Sequence, residues 1–298
     1  MIWVNQVVQG VLLGGYYALL ATGLSLLFGV MRIINLAHGD LAVLGTFLLW
    51  WLHDRTGMSV FVALAIVLPV MAALGWILQR AMFERSLRSG VLVPLLATFG
   101  LAIVLQNLLF EKFGADTRSL DIGSLAYDGW KITDQIYIGH LSVLIFAVAV
   151  VLLGGLQLFL GRTPYGRALR ATAQDPDTAE LVGVNSRAVY ASAAAIALAT
   201  AGLAGAFLGM RATFDAYAGP TQLIFAFEAV VIGGFGSLWG TLVGGVVLGV
   251  AQTVGAQLDP QWPLLSGHLV FLAVLGARLL RPALANRGGL RAALGLAS

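Results

Sequence analysis

The sequence contains no cysteine, which excludes disulfides and thiolate metal sites. Its four histidines, His38, His53, His140 and His268, are too scattered for a metal-binding motif, so neither a metal nor a cofactor is expected. Charge is scarce: only 10% of residues are Asp, Glu, Lys or Arg, against about a quarter in soluble domains. Lysine is almost absent, with Lys112 and Lys131 alone, and neither sits in a GxxxxGK[ST] loop, so the chain cannot hydrolyse ATP by itself. HExxH, GxSxG and paired-carboxylate arrangements are missing too, which makes an intramembrane enzyme a poor fit. A net charge of +3 and a pI near 9.4 would point to nucleic acid in a soluble protein. Here the arginines sit beside long apolar runs, so their placement reads as topology and no nucleic-acid partner is expected.

What the sequence has is apolar length. It is 59% hydrophobic, with mean hydropathy +0.90. In lipid only helices and closed barrels satisfy every backbone group, and these runs lack the period-two alternation of barrel strands. An all-α, polytopic transmembrane bundle of eight or nine segments follows, in contact with membrane lipid and forming one domain over 1–298. The 37 glycines agree, since small residues let membrane helices approach closely. The opening MIWVNQ has no basic stretch, so the first apolar run reads as a retained span rather than a cleaved signal.

Along the chain, apolar runs fall at 7–30, 41–52, 58–79 (with Pro69), 91–110 (with Pro94), 136–160, 188–209, 222–258 and 263–280. Two of them are anomalous. Residues 41–52 are too few to span a hydrocarbon core of about 30 Å, so the preceding MRIINLAHGD must enter membrane depth or the helix must be discontinuous. Residues 222–258 are too many for one helix, and Gly233, Gly234, Gly236 and Gly240 make continuity costly. A break at GGFGSLWG is expected, leaving a short piece 223–232 and a fuller span 238–258 capped by Ser237. Short or broken helices near 31–52 and 222–240, one in each half, match a pattern that transporters use around a midplane path.

Basic residues set the sidedness. Arg80, Arg85 and Arg88, the stretch 162–187, and Arg278, Arg281, Arg287 and Arg291 belong inside. The stretch 111–135, rich in Asp116, Asp121, Asp128 and Asp134, belongs outside.

The segment GRTPYGRALRATAQDPDTAELVGVNSR is a polar island between spans. Thr163 followed by Pro164, and Asp175 followed by Pro176, are two helix starts, and Gly183 with Asn185 beyond it is a stop. Two short helices are expected. Arg167 and Arg170 lie on the first; Asp175, Asp177, Ala179, Glu180, Leu181 and Val182 belong to the second, with Ala179, Leu181 and Val182 as contact residues. A capped surface helix of this kind is a docking element, although a plain solvated loop fits the composition equally well.

The polar candidates inside the membrane are Asn35, His38 and Asp40 in the first break and Glu228 in the second. An ionisable group at membrane depth costs at least a few kcal/mol, which marks it as functional by default. Two readings stand for each: Asp40 contacts a transported solute or caps the short helix, and Glu228 contacts solute or relays a proton, or pairs with an arginine of another helix or subunit.

The stretches GLSLLFGVMRIINLAHGDLAVLGTF at 23–47, TPYGRALRATAQDPDTAELVGVN at 163–185 and FEAVVIGGFGSLWGTLVGGVVLG at 227–249 resemble the LivH-type permeases of branched-chain amino acid ABC transporters, in that family's order. The resemblance implies a bacterial inner-membrane subunit that works with a LivM-type second permease, two ABC ATPase subunits and a periplasmic binding protein delivering a small-molecule amino acid substrate. It gives residues 176–183 the role of the helix that couples to the ATPase. It also places Asn35, His38, Gly39, Gly233, Gly234 and Gly236 along the translocation region, to which the ionisable candidates Asp40 and Glu228 are added. The same machine carrying urea, short amides or another small solute, and an autonomous secondary transporter, are the alternatives.

Overall fold

With few polar side chains to compete for them, the backbone groups of the apolar runs bond within their own segments, and the chain is helical almost throughout. The structure, a computed structural model, describes residues 2–87, 90, 92–133 and 136–285. Of the residues used above, Arg88, Val91, Asp134, Gln135, Arg287 and Arg291 lie outside the described residues. The helices are α1 (Ile2–Met31), α2 (His38–Thr56), α3 (Val60–Leu78), α4 (Glu84–Leu87), α5 (Leu92–Phe113), α6 (His140–Arg162), α7 (Pro164–Gln174), α8 (Pro176–Leu181), α9 (Ser186–Arg211), α10 (Gly219–Gly233), α11 (Leu238–Leu258) and α12 (Pro263–Ala285). A π-helical turn, Gln79–Phe83, joins α3 to α4. Among the described residues seven segments are long and apolar enough to cross a membrane: α1, α3 with its extension, α5, α6, α9, α11 and α12. With α2 and α10 these make nine segments among the described residues, and the protein is a multi-pass membrane protein.

α1 and α9 form the centre, buried along most of their length, while α5, α6 and α12 leave broad apolar faces on the outside. Close approach comes from small residues. Gly10 and Gly14 of α1 face Gly245 and Gly249 of α11, two GxxxG pairs laid backbone to backbone. A methyl group on Gly14 would stand 2.7 Å from the Gly245 carbonyl oxygen, and one on Gly245 would stand 2.6 Å from that of Gly14. On the other side of the centre, Gly45 and Ala42 of α2 meet Gly202 and Gly205 of α9.

The helices alternate between two ends. The ends carrying Arg32, Arg85, Arg162, Arg187 and Arg278 converge with α7 and α8. Arg187 pairs with Glu84 at 3.1 Å, and the Arg278 guanidinium donates to the Ile232 carbonyl at 2.7 Å, a cation where α10 ends. At the opposite end a hairpin of β1 (Gly129–Thr133) and β2 (Ile136–Gly139) packs beside α1, the Gln9 amide donating to the Tyr137 carbonyl. The stretch before it is pinned to the end of α9: Arg118 and Phe214 exchange backbone hydrogen bonds of 2.9 and 2.8 Å. The Arg118 guanidinium lies over the Trp50 ring at 4.0 Å.

Several boundaries differ from the hydropathy pattern. The second helix runs from His38 to Thr56, 19 residues rather than 12, because His38 and Asp40 are helical and buried despite their polarity. Residues 136–139, expected in a span, are a strand, and the hairpin carries no signal in a segment that reads as an acidic loop. α10 starts at Gly219, earlier than 223, with a proline in its first turn. Asn185 lies just beyond the Gly183 turn as expected, and it also caps α9 by accepting from the Ala188 amide at 3.0 Å.

Candidate functional site

The site is built where α2 and α10 begin. After Met31 the chain takes a left-handed turn at Arg32 (φ 55°) and folds back into the bundle. The Asn35 side-chain oxygen accepts from the Ala37 amide (3.0 Å), and the Thr98 hydroxyl of α5 accepts from the Leu36 amide (3.1 Å). These bonds hold an irregular backbone where water is scarce, a condition on which non-helical chain survives at membrane depth. His38 Nε2 then lies 2.8 Å from the Leu20 carbonyl of α1. A carbonyl only accepts, so Nε2 carries the proton and Nδ1 is left without a hydrogen-bond partner among the described residues. Leu20 stands eleven residues back from Met31, about 16 Å along the helix, so α2 begins deep inside the bundle.

α10 begins at the same place. Gly39 of α2 is pressed against the Gly219 carbonyl, and Gly219 in turn against the Asp40 side chain, so that no Cβ fits on either glycine. Asp40 Oδ1 accepts from Gln106 Nε2 of α5 at 2.9 Å, and the carboxylate sits in the first turn of α2, where the helix dipole favours it. Three residues into α10, Gln222 accepts a 2.6 Å hydrogen bond from the Tyr16 hydroxyl. Two helices thus start back to back at membrane depth and run toward opposite ends. α10, 15 residues long, extends only about 22 Å, short of a full crossing.

The other sequence candidates lie apart from this junction. Glu228 is nine residues further along α10, 3% exposed, and accepts from His268 Nδ1 of α12 at 2.5 Å. Its second oxygen is buried with no hydrogen-bond partner among the described residues. Gly233, Gly234 and Gly236 sit at the far end of α10, about 21 Å from Gly219 along the helix. Gly234 (φ 100°) and Gly236 (φ 76°) make the reversal that an L-residue resists. Ser237 restarts the chain as α11 by accepting from the Gly240 amide at 3.1 Å. The Phe235 ring packs on Phe28 of α1 at 4.3 Å, and Gly236 on Gly29. Asn35, His38, Gly39 and Asp40 therefore form one cluster, and the glycine break belongs to the α7/α8 end.

α7 and α8 are arranged as their caps dictate. The Thr163 hydroxyl accepts from the Gly166 amide at 2.9 Å, and Arg170 donates to the Leu160 carbonyl, folding α7 back along α6. The Arg167 guanidinium reaches the Arg162 carbonyl at 3.5 Å. Asp175 accepts from the amides of Asp177 and Thr178 (3.1 Å each) and from the Thr178 hydroxyl (2.5 Å). The Thr178 hydroxyl first, and then the backbone amides, hold its carboxyl below the ordinary aspartate range. Ala179 is buried, Gly183 (φ 87°) turns the chain, and Ser186 donates to the Pro176 carbonyl at 3.3 Å. Leu181 and Val182 are left 87% and 77% exposed. α8 is a seated helix that presents two aliphatic side chains to solvent.

Residues 6–277 match the family model described as "Branched-chain amino acid transport system / permease component". This chain belongs to that permease family. The permease is 32% identical over 269 residues to the high-affinity branched-chain amino acid transport system permease protein BraD of Pseudomonas aeruginosa, covering 86% of this chain and 87% of the relative. To the LivH permease protein of Escherichia coli K12 it is 29% identical over 267 residues, 85% and 86% of the two chains. To the probable LivH protein of Methanocaldococcus jannaschii it is 27% identical over 246 residues, 79% and 76%. No solved structure matches the chain.

Three partners in the permease escaped the sequence. Gln106 reads as an amide able to bond across helices, but nothing in the chain points it at Asp40. His268 sits in an apolar run 40 positions from Glu228 and carries no motif. Gly219 is one glycine among 37, and a Gly-Pro opening a short helix was the only available signal for it.

Proposed function

We propose that this permease is the membrane-spanning subunit of an ATP-binding cassette importer in a bacterial inner membrane and carries branched-chain, hydrophobic amino acids. A periplasmic binding protein delivers the cargo, a LivM-type permease completes the pathway, and two ATPase subunits supply ATP hydrolysis; the chain itself acts as a transporter, not an enzyme. The chain is one permease domain over 1–298, with 162–187 as its cytoplasmic coupling segment.

The observation that carries this reading is α8. Leu181 and Val182 stand exposed on a helix fixed at both ends, by the Asp175 cap and by Gly183, and Ala179 anchors it to the bundle. Exposed aliphatic residues on a preorganised helix suit a docking partner, because little ordering entropy remains to be lost on binding. Asp177 and Glu180 flank them with negative charge. ATPase closure would push α8 and, through Ser186 and Arg187, α9 and α4. α9 lies against α2, so the displacement reaches the Asn35–Asp40 cluster. There the opposed starts of α2 and α10 offer helix N-termini toward a carboxylate, while irregular backbone carbonyls can receive an ammonium group. Gly39, Gly219 and the buried His38 close the path in the present conformation.

The test is affinity purification of the tagged chain from its native membrane with mass spectrometry of what remains bound. Two ATPases and a second permease support the reading. Recovery of the chain alone, under conditions that keep other importers whole, would sink it.

A further inference from the structure

A recess opens at the α7/α8 end, on the far side of α1 from His38. Gly23 faces His38; Ser25, two residues on and about 200° around the helix, lines the recess instead. Its floor is a cavity of about 190 Å³ walled by Leu26, Val30, Leu160 and Leu169, with Gln157 and Arg170 on the same lining, larger than the cavity of about 150 Å³ that admits a benzene ring. Its mouth is an adjoining bowl of about 380 Å³ carrying Arg32 and Arg170, and Gly29, Ala173 and Gly236 border both parts. No carboxylate lines either part among the described residues. The Ser25 hydroxyl is fully buried and has no hydrogen-bond partner among them, although a helical serine ordinarily bonds to its own helix.

The geometry points to a binding site for a small aliphatic carboxylate, with its branched side chain in the leucine-walled floor and its carboxylate at Arg32 and Arg170. Planar guanidinium groups match a carboxylate fork. Ser25 stands behind the floor with its hydroxyl covered, so the ligand is held by the aliphatic wall and the two guanidinium groups. The proposed cargo belongs to this class, so the inference rests partly on the transport reading; the site itself is separate from the junction of α2 and α10. An occupant would bridge α1, α7 and the link between α10 and α11, tying the α7/α8 unit to the centre. Accumulated product would then hold the importer at rest.

The lack of cysteine makes the test direct. Ala173→Cys places a single thiol on the recess wall, and Gln174→Cys a second reporter on its rim. The assembled complex in lipid nanodiscs, with both faces open, is labelled with N-ethylmaleimide. Leucine and 4-methylpentanoate are expected to slow labelling, whereas glycine and 3-methylbutylamine leave it unchanged. Arg32→Gln, on an exposed side chain whose loss spares the core, raises the half-protecting concentration of leucine by roughly tenfold, as expected when one charge-assisted hydrogen bond is lost. No slowing by leucine in either reporter overturns the proposal. So does equal slowing by glycine or phosphate, or indifference to Arg32→Gln. Labelling that follows the phosphatidylglycerol content of the disc but ignores leucine makes it a lipid-headgroup site and overturns it too. Leucine uptake by cells carrying the same variants separates the two readings: normal uptake without protection removes only this site, and protection without uptake removes only the assigned cargo.

Discussion

Glu228 and His268 are joined across α10 and α12 by a 2.5 Å hydrogen bond, the carboxylate buried and the imidazole opening toward the outer face of the bundle. The pair ties the short α10 to the outermost helix. Replacing His268 with Leu strands a buried carboxyl, which costs about 1–3 kcal/mol. A lower melting temperature of the purified chain is the expected result, with partial recovery in the double variant Glu228→Leu/His268→Leu, since removing both partners of a buried pair is milder than removing one. Equal melting temperatures for His268→Leu and the parent would show that the bond holds nothing.

The contact of Gly39 with Gly219 leaves no room for a methyl group. Gly39→Ala therefore forces α2 and α10 apart, an overpacking cost of about 1–3 kcal/mol, and slows uptake more than it lowers the amount of assembled complex. Uptake per assembled complex equal to the parent's would mean that the junction does not gate.

Asn35 holds the turn into α2 through one oxygen, while its amide nitrogen is buried without a hydrogen-bond partner among the described residues. Asn35→Asp keeps the turn-forming oxygen, whereas Asn35→Ala removes both groups. If the free nitrogen serves the cargo, both variants lose uptake with ATPase copurification intact. Recovery of normal uptake in Asn35→Asp would leave Asn35 only its turn.

Leu181→Glu places a charge where an exposed leucine stands and disturbs no packing. Copurification of the ATPases should fall by roughly tenfold or more, the loss of about 1.4 kcal/mol of interface free energy, while the chain elutes as before. Gly183→Trp tests the same surface less cleanly, because its backbone at φ 87° resists any side chain.

The Asp175 cap predicts a pH response. Its folded carboxyl titrates below the unfolded value of about 3.9, so the cap is complete above that value and is lost only as pH falls through the lower, folded one. Amide protection factors at 177–181, taken against the intrinsic exchange rate at each pH, should stay flat from neutral pH down to about pH 4 and fall below it; Asp175→Asn, which caps without charge, should stay flat throughout. Loss of protection already near pH 6 would assign it to another group.

Much of this architecture is legible locally. The caps at Thr163, Asp175 and Ser237 and the break after Gly233 are each written within a few neighbouring residues, and a cap or a left-handed turn needs little else. α2 was harder, because hydropathy assigns His38 and Asp40 to water, while Leu20 and Gln106 make them acceptable in the interior. The hairpin at 129–139 was not legible at all, since its strands gain from pairing and from Gln9 of α1 rather than from any pattern of their own.

By itself, then, the sequence determined a membrane bundle of eight or nine segments, the two interruptions, the capped α7–α8 unit and, through its likeness to one permease family, the class of machine. Apolar length, glycine and proline positions and arginine placement act over one helix or less, so they are readable in order. Tertiary structure decided that the first interruption meets the start of α10 rather than its glycine-rich end, that Glu228 is held by His268, and that Arg170 faces a leucine-walled recess with Arg32. Those relationships join residues 40 to 180 positions apart, and they follow from which helices small residues allow to touch, a property of the packed bundle and of no single stretch.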